Sequence, residues 1–459
     1  MTFSNCFFNP IPSPRFIILQ DLPTPTEIKI KIIPKIMDPE NNITVIEMMN
    51  IRMGESSGLL ESLSGENFCC ISRVHHSVVR NNKYTYYPEV ISIGPYHHGN
   101  KDLELYEALK WSLLGRLIER TGMQLVDFMN VIESMEKEIR ESYTDSNSFG
   151  NIGNTQFARM MVLDGLFLIE LFRDSDFISE MSIDCQPLIR DLLKLENQIP
   201  FYVLQTLHAM STTNASTLQS LILNFFDTQL HRKPEVLQKS ENVNGQHLLD
   251  IFRKSFINRN RVDSPGSNSS NKILKLIRPA TKLVMDGVEF KANHHAESFL
   301  DIEFKGGHLL IPQIKVNEFF GTFFLNCVAL EQGYNHCSKE VTTYAMFMGC
   351  LLNTSSDVSL LSQNEIIENS FGADKEIAKF FNDVRKHADV DKRKNYLLGL
   401  SVEINQYCNN WWHVGCARIK HAYFNNPIRF IAASGAFMLL SLTAVQVQYD
   451  VLGYYRDHK

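Results

Sequence analysis

The chain has 459 residues, of which 44% are hydrophobic and 21% charged, a composition typical of a globular protein with a sizeable core. Its net charge is −6 and its pI is near 6.2, so the chain lacks the excess of basic residues that nucleic-acid-binding proteins carry. We therefore expect no nucleic-acid partner. Its nine cysteines, an odd number without C-x-x-C spacing, exclude a disulfide framework and a zinc site and are typical of reduced cytosolic thiols.

The N-terminal region is rich in proline, with seven of the sixteen prolines among the first 39 residues. Its short apolar stretch lacks a basic n-region, so we predict no signal peptide. We expect residues 1–65 to be a poorly ordered extension and residues 68–424 to form the body. The extension contains Gly54–Gly58, which matches the nucleophile pattern G-x-S-x-G but lacks the strand and helix that this chemistry requires.

The body begins with aromatic and β-branched residues among turn residues at Tyr84–Asn100, which indicate extended segments and turns. Pro187 opens one of the helices that follow, and Pro200 is expected to end or kink it. A polar stretch at residues 258–271 is predicted to be a flexible linker. Apolar residues at helical spacing predict helices at residues 103–121, 123–143, 157–173, 188–198, 201–210, 217–231 and 246–257.

A change of period after the linker predicts a β-hairpin over about residues 298–316. Alternating side chains in Phe299–Lys305 indicate a half-buried strand, and Gly306-Gly307 supplies a two-residue turn before the returning strand, His308–Val316. Pro312 suggests that the returning strand lies at a sheet edge. Because the pattern is helical again in residues 319–423, the sequence predicts a mainly α fold: one large helical domain with a small antiparallel sheet.

The chain carries an uncharged run of 20 residues, Phe430–Tyr449, near its C-terminus. As a helix this run covers about 30 Å, the thickness of a bilayer's hydrocarbon core. Aromatic residues flank it on both sides, as in the interfacial belts of membrane spans. We therefore predict a transmembrane helix over residues 428–449, whose partner is the lipid bilayer, and a short tail at 450–459. Serine and glutamine residues in the run leave a buried helix of a soluble fold as the alternative.

Orientation follows from the predicted order of segments. With no signal peptide or earlier span, nothing is expected to carry the large body across a membrane. The sequence therefore predicts a single-pass, tail-anchored membrane protein with its body in the cytosol.

Several stretches together resemble the plant DUF247 (UPF0481) family, in the family's order. The matching stretches include Ser92–Gly99 (SIGPYHHG), Met161–Arg173 (MVLDGLFLIELFR), Arg190–Phe201 (RDLLKLENQIPF), His247–Arg253 (HLLDIFR), Gly287–Lys291 (GVEFK), Leu300–Phe304 (LDIEF), Ala329–Gln332 (ALEQ) and Glu403–Cys408 (EINQYC). The resemblance implies a single-domain, largely helical, membrane-associated protein without established enzymatic activity. Some similar members act as recognition determinants at the grass self-incompatibility locus.

Four acidic residues are the best candidates for an enzymatic site: Asp164, Glu170, Asp191 and Glu196. They lie on neighbouring predicted core helices, where buried carboxylates can bind a divalent metal for hydrolysis. The alternative is structural, because Arg173 and Lys194 follow Glu170 and Asp191 at the i,i+3 spacing of ordinary ion pairs. Asn197 and Gln198, just before Pro200, are expected to satisfy backbone groups freed by the kink.

The paired histidines His97-His98 occur within a Gly- and Pro-containing stretch. Adjacent histidines in extended backbone point to opposite sides, so we favour a turn with hydrogen-bonded imidazoles over a metal site. The sequence predicts neither a cofactor nor a metal.

The sequence thus favours a non-enzymatic, membrane-tethered recognition or scaffold protein with unidentified protein partners. A metal-dependent hydrolase using the four carboxylates is the alternative. The hydrolase hypothesis requires three of these carboxylates to lie within about 5 Å of one another, open to solvent and unpaired with basic side chains. Carboxylates that are each paired support the structural interpretation.

Overall fold

The computed structural model describes residues 71–75, 79, 83–174, 184–211, 217–240, 242–257, 277–334, 337–388, 395–411, 414–415 and 427–457. The predicted N-terminal extension at 1–65, with its G-x-S-x-G match, and the predicted linker at 258–271 lie outside these residues.

Helices dominate the described chain, which confirms the mainly α prediction. Those before the predicted linker are α1 (Lys83–Tyr86), α2 (Glu107–Thr121), α3 (Leu125–Ser134), α4 (Glu136–Glu141), α5 (Asn154–Arg173), α6 (Cys185–Asp191), α7 (Phe201–Ser211), α8 (Leu218–Asp227), α9 (Pro234–Ser240) and α10 (Leu248–Lys254). Those after it are α11 (Ala280–Met285), α12 (Glu318–Gly333), α13 (Glu340–Leu351), α14 (Ser355–Gln363), α15 (Asp374–His387), α16 (Leu398–Asn409) and α17 (Pro427–Asp457).

Helix α5 forms the centre of the N-terminal half of the body, the described residues between 71 and 257. Its residues from Phe157 to Phe172 are buried except Arg159, because apolar side chains surround the helix on all sides. The neighbouring helices α2, α3, α7 and α8 pack around it. Two shorter 3₁₀ turns, Lys101–Tyr106 and Ser146–Phe149, lead into this group of helices.

The predicted helix at 188–198 is wrong in its second half. Pro187 lies in the first turn of α6, as a proline should, but α6 ends at Asp191. Residues 192–200 then form irregular turns, although every one of them is buried. Apolar spacing could not reveal this, because a fully buried irregular segment and a buried helix are both rich in apolar residues.

The predicted hairpin is present, but the sheet that contains it is mixed. Strands β2 (Glu303–Lys305) and β3 (His308–Ile311) pair antiparallel across Gly306-Gly307, and both glycines have the positive φ that a tight turn requires. Strand β1 (Glu289–Ala292) runs parallel to β3 on its other side. A second, two-stranded sheet joins β4 (Ile314–Val316) and β5 (Ile367–Asn369) in parallel.

The edge position predicted from Pro312 is therefore wrong. Strand β3 is the central strand of the order β1-β3-β2, and it ends at Ile311. Pro312 lies between β3 and β4, where its missing N–H removes no bond from either sheet.

Helix α17 is long and apolar enough to cross a membrane, over Phe430–Leu452. None of that segment is buried in the protein; Leu442, for example, is 66% exposed. The hydroxyls of Ser441 and Thr443 donate to carbonyl oxygens four residues earlier, both at 2.8 Å. These bonds satisfy the two hydroxyl groups within the helix itself. The predicted alternative, a buried helix of a soluble fold, does not fit this exposure.

Candidate functional site

The four candidate carboxylates lie in the interior of the N-terminal half. Asp164 and Glu170 project from α5, Asp191 ends α6, and Glu196 lies in the irregular turns that follow. Each is at most 3% exposed. Burial of an ionised carboxylate is strongly unfavourable without hydrogen bonds or an opposite charge, so the partners of each residue decide its role.

Asp191 binds consecutive backbone amides of another segment. Its Oδ2 accepts hydrogen bonds from the N–H groups of Glu89, Val90 and Ile91 at 2.8, 2.7 and 3.1 Å. Its Oδ1 lies 2.9 Å from Nζ of Lys194, the i,i+3 pair expected from the sequence. One side chain thus accepts hydrogen bonds from three amides of an irregular, largely buried segment of the backbone.

Asn197 continues the same arrangement. Its Oδ1 accepts from the N–H of Ile93 at 2.7 Å, and its Nδ2 donates to the carbonyl oxygens of Ile91 and Asp191 at 3.1 and 3.0 Å. The side chain therefore forms hydrogen bonds with both irregular segments, residues 89–94 and 192–200.

Gln198 closes the turns after α6. Its Nε2 donates to the carbonyl oxygens of Leu192 and Lys194 at 2.8 and 2.9 Å, which a continued helix would have satisfied. Its Oε1 accepts from the N–H of Leu249 in α10 at 3.2 Å. Asn197 and Gln198 thus satisfy backbone groups, as predicted, but these groups belong to residues 91–93 and to the chain that follows the end of α6 at Asp191, not to a helix kinked by Pro200.

Asp164 forms a buried ion pair with Lys110, next to the segment of residues 89–94. Its Oδ1 lies 2.7 Å from Nζ of Lys110, and its Oδ2 accepts from the N–H of Gly94 at 2.8 Å. Lys110 also contacts the Ser92 carbonyl oxygen and Glu107. Burial raises the pKa of Asp164, against the opposing effect of Lys110. Burial alone lowers the pKa of Lys110, but Asp164 and Glu107 raise it overall, which favours the charged lysine.

Gly94 lies where only glycine fits. Its φ is +76°, and a Cβ atom there would lie 2.5 Å from the carbonyl oxygen of Gln198. Any side chain would separate the two irregular segments.

Glu196 connects the start of the described chain to the histidine turn. Its Oε1 accepts from the N–H of Val74 at 2.8 Å, and its Oε2 lies 3.4 Å from Nε2 of His97. His97-His98 do form a turn, but the neighbour of His97 is this carboxylate rather than a carbonyl oxygen.

Glu170 forms ion pairs with Arg120 at 3.2 Å and with Arg173. All four carboxylates are thus buried and engaged with basic side chains, a histidine or backbone amides. The geometry expected of a hydrolase is not met, and the part of the chain that the structure describes contains no group of three or more His, Cys, Asp or Glu side chains able to hold a metal.

A cavity of about 40 Å³ borders Asp164. His98, Glu107, Trp111 and Arg159 line its walls. Such a volume holds a water or two, whereas pockets for organic ligands are several hundred Å³.

A second buried network, not identified in the sequence, joins α10 to the C-terminal half. Arg253 is 1% exposed and donates to Glu331 at 2.9 Å and to Asp250 at 3.2 Å. Glu331 also accepts from the N–H of Val341 and from the N–H and hydroxyl of Thr342, the last two at 2.7 Å. Burial raises the pKa of Glu331 to about 6, although Arg253 opposes this shift.

A sequence signal for these missed residues did exist. Lys110 occupies the same helical face as Leu113, Leu114 and Leu117, all of which are buried. A charged residue on a buried apolar face requires an internal partner. Arg253 and Glu331 lie on buried faces of α10 and α12 in the same way.

Comparison with known proteins returns one family and two curated relatives. A family described as DUF247, plant protein of unknown function, matches residues 71–442. A UPF0481 protein of Arabidopsis thaliana is 33% identical over 432 residues, covering 87% of this chain and 90% of that protein. A putative UPF0481 protein of the same plant is 21% identical over 505 residues, covering 87% of this chain and 93% of that protein. No solved structure matches the chain significantly.

Replacing Asp191 by alanine should destabilise the protein strongly. The change leaves the buried amide of Ile91 and the part-buried amides of Glu89 and Val90 without their acceptor, and it takes one carboxylate from the buried Lys194. We therefore expect a loss of about 3–5 kcal/mol in the free energy of unfolding. Urea denaturation followed by intrinsic fluorescence measures this loss.

The matched control is Asp184→Ala at the other end of α6. Asp184 is exposed and only caps the helix, accepting from the N–H of Gln186 at 3.0 Å. Its loss should cost about 1 kcal/mol. Equal losses for the two variants would contradict the role assigned to Asp191.

Glu331 should give the protein a characteristic pH dependence. Its folded pKa of about 6 lies above the ordinary value of 4.5, so it contributes stability below pH 4.5 that is lost as the pH rises through 6. The free energy of unfolding of the natural protein minus that of Glu331→Gln should therefore fall by about 2 kcal/mol over this range. Denaturation curves at several pH values test this, and a difference that rises or stays level is the opposing outcome.

Proposed function

Because this chain belongs to the DUF247 family of plant proteins of unknown function, we propose a role from its own structure: a membrane-anchored, non-enzymatic recognition or scaffold protein with a cytosolic body. The family match and the 33% identical relative confirm the resemblance seen in the sequence. The mainly helical fold agrees with what that resemblance implies.

The exposed apolar helix α17 carries the proposal. A free helix in water leaves the large apolar side chains of Phe430–Leu452 hydrated, a state that is unfavourable in proportion to their area. In a bilayer the same side chains contact lipid, and the helix satisfies its own backbone. A single membrane span is the environment that fits all of its faces.

The cysteines support a cytosolic position for the body. Cys185, Cys327, Cys337, Cys350 and Cys408 are free thiols. Burial raises the pKa of Cys337 to about 12 and that of Cys327 well above its ordinary value, which keeps both protonated and inert. Free thiols of this kind are typical of reducing compartments.

The buried carboxylates and amides support a role other than catalysis. The hydrogen bonds and ion pairs of Asp164, Glu170, Asp191 and Glu196 are directed to the protein itself, and the cavity that Asp164 lines is too small for a substrate. No observation favours the metal-dependent hydrolase over this structural role. Recognition of protein partners then rests on the exposed surface.

Charge placed in the middle of α17 should abolish membrane insertion. Lysine at both Leu439 and Leu442 adds about 2.5–3.5 kcal/mol each to the insertion free energy. Lysine at both Val451 and Leu452 is the matched control, because side chains near a helix end reach the membrane interface. Carbonate extraction of membranes from plant cells should find the control in the pellet and the first variant in the supernatant. Equal extraction of the natural protein and the first variant contradicts the anchor.

Glycosylation in the same cells measures which side of the membrane the body lies on. Asn353 is exposed and lies in an N-x-S/T sequence, so it reports on the body. A second acceptor site appended after Lys459 reports on the other side. We expect an endoglycosidase shift from the appended site and none from Asn353; the reverse result places the body in the lumen.

The recognition role is tested by proximity labelling from a ligase fused to the N-terminus of the full chain. The control is the same ligase joined to α17 alone, which labels the general neighbours of the membrane. A distinct set of proteins labelled only by the full chain supports recognition by the body. Identical sets would leave the body without a recognition role and contradict the proposal.

A further inference from the structure

A broad groove lies on the surface between α12 and α15, with a volume of about 1120 Å³. Leu325, Val328 and Ala329 of α12 form an apolar wall, and Phe380 of α15 faces them from the other side. A helix with side chains is about 10 Å wide and rises 1.5 Å per residue, so the groove holds roughly ten residues of helix.

The α15 edge of this groove carries four charges of alternating sign: Glu376, Lys379, Asp383 and Lys386. Their spacing of three, four and three residues is symmetric about Phe381. This spacing places them on one face of the helix. Asp383 and Lys386 form an exposed pair at 2.9 Å, while Glu376 and Lys379 make no ion pair among the described residues.

We propose that the occupant of this groove is α15 of a second copy of the chain, lying antiparallel to the first. When a second copy of this row of four charges runs in the opposite direction, each charge faces a charge of opposite sign. Glu376 then faces the partner's Lys386, and Lys379 faces the partner's Asp383, so the two-fold axis passes beside Phe381. Each pair occurs twice in the dimer.

The apolar surface agrees with this occupant. Phe380 lies in the middle of the charged row and is only half-buried, so the antiparallel arrangement brings it toward the groove wall of the other copy. Leu325 and Ala329 on that wall are also half-buried. Apolar contact near the axis with charged pairs around it is the usual composition of a protein interface.

Self-complementarity distinguishes a second copy from an unrelated amphipathic helix. A closed two-fold dimer requires one surface to match itself, and the symmetric charge row meets this requirement without any further chain. The proposal does not depend on the membrane anchor, because both helices belong to the body.

The test is a charge swap on the full-length protein in detergent, with multi-angle light scattering giving the protein mass. The natural chain should give twice its mass of 52.7 kDa. Lys379→Glu turns two attractive pairs into repulsive ones and should weaken dimerisation about ten-fold or more. Adding Asp383→Lys to Lys379→Glu exchanges the charges and should restore the dimer.

The matched control is Lys375→Glu, which makes the same charge change at an exposed position of α15 outside the groove. It should leave the mass at two chains, and circular dichroism should show that all variants are folded. A monomeric natural chain, a dimer that is insensitive to Lys379→Glu, or a double variant that does not recover overturns the proposal. A monomer that binds a different protein through the groove also overturns it.

Discussion

The binding of three consecutive backbone amides by the Asp191 carboxylate is the interaction on which the N-terminal half depends. Residues 89–94 and 192–200 are irregular and largely buried, so many of their N–H and C=O groups lack the partners that a helix or a sheet supplies. Asp191, Asn197 and Gln198 supply these partners from side chains. Without them this backbone would have to move to the surface.

The same constraint explains the charges inside the protein. Asp164 with Lys110, and Glu331 with Arg253, are buried pairs in which each charge also binds backbone groups. Such pairs add little net stability relative to an apolar core, but removing one member leaves an uncompensated charge. They therefore restrict how the helices pack. The Arg253 network links α10 to α12 and to the start of α13, and so joins the two halves of the body.

This internal use of polar groups leaves function to the exterior. Among the described residues, two exposed features differ from an ordinary solvated surface: the apolar helix α17, and the groove with the alternating charges of α15. We propose that the first contacts lipid and that the second binds another copy of the chain. A protein held at a membrane as a dimer presents two bodies to a partner, which raises its avidity for a repeated or dimeric partner without any new contact.

The sequence by itself determined the helical class, the β2–β3 turn at Gly306-Gly307, the apolar length of α17 and the family, because these depend on local periodicity, turn chemistry or direct similarity. It also identified the acidic residues, but buried carboxylates look alike in a sequence whether they bind metal or backbone. Only the tertiary structure decided that Asp191 faces the amides of residues 89–91, about a hundred positions away, and that α6 stops at Asp191. It likewise placed β1 beside β3. The physical reason is that hydrogen-bond partners distant in the chain are chosen by packing, which no local pattern records.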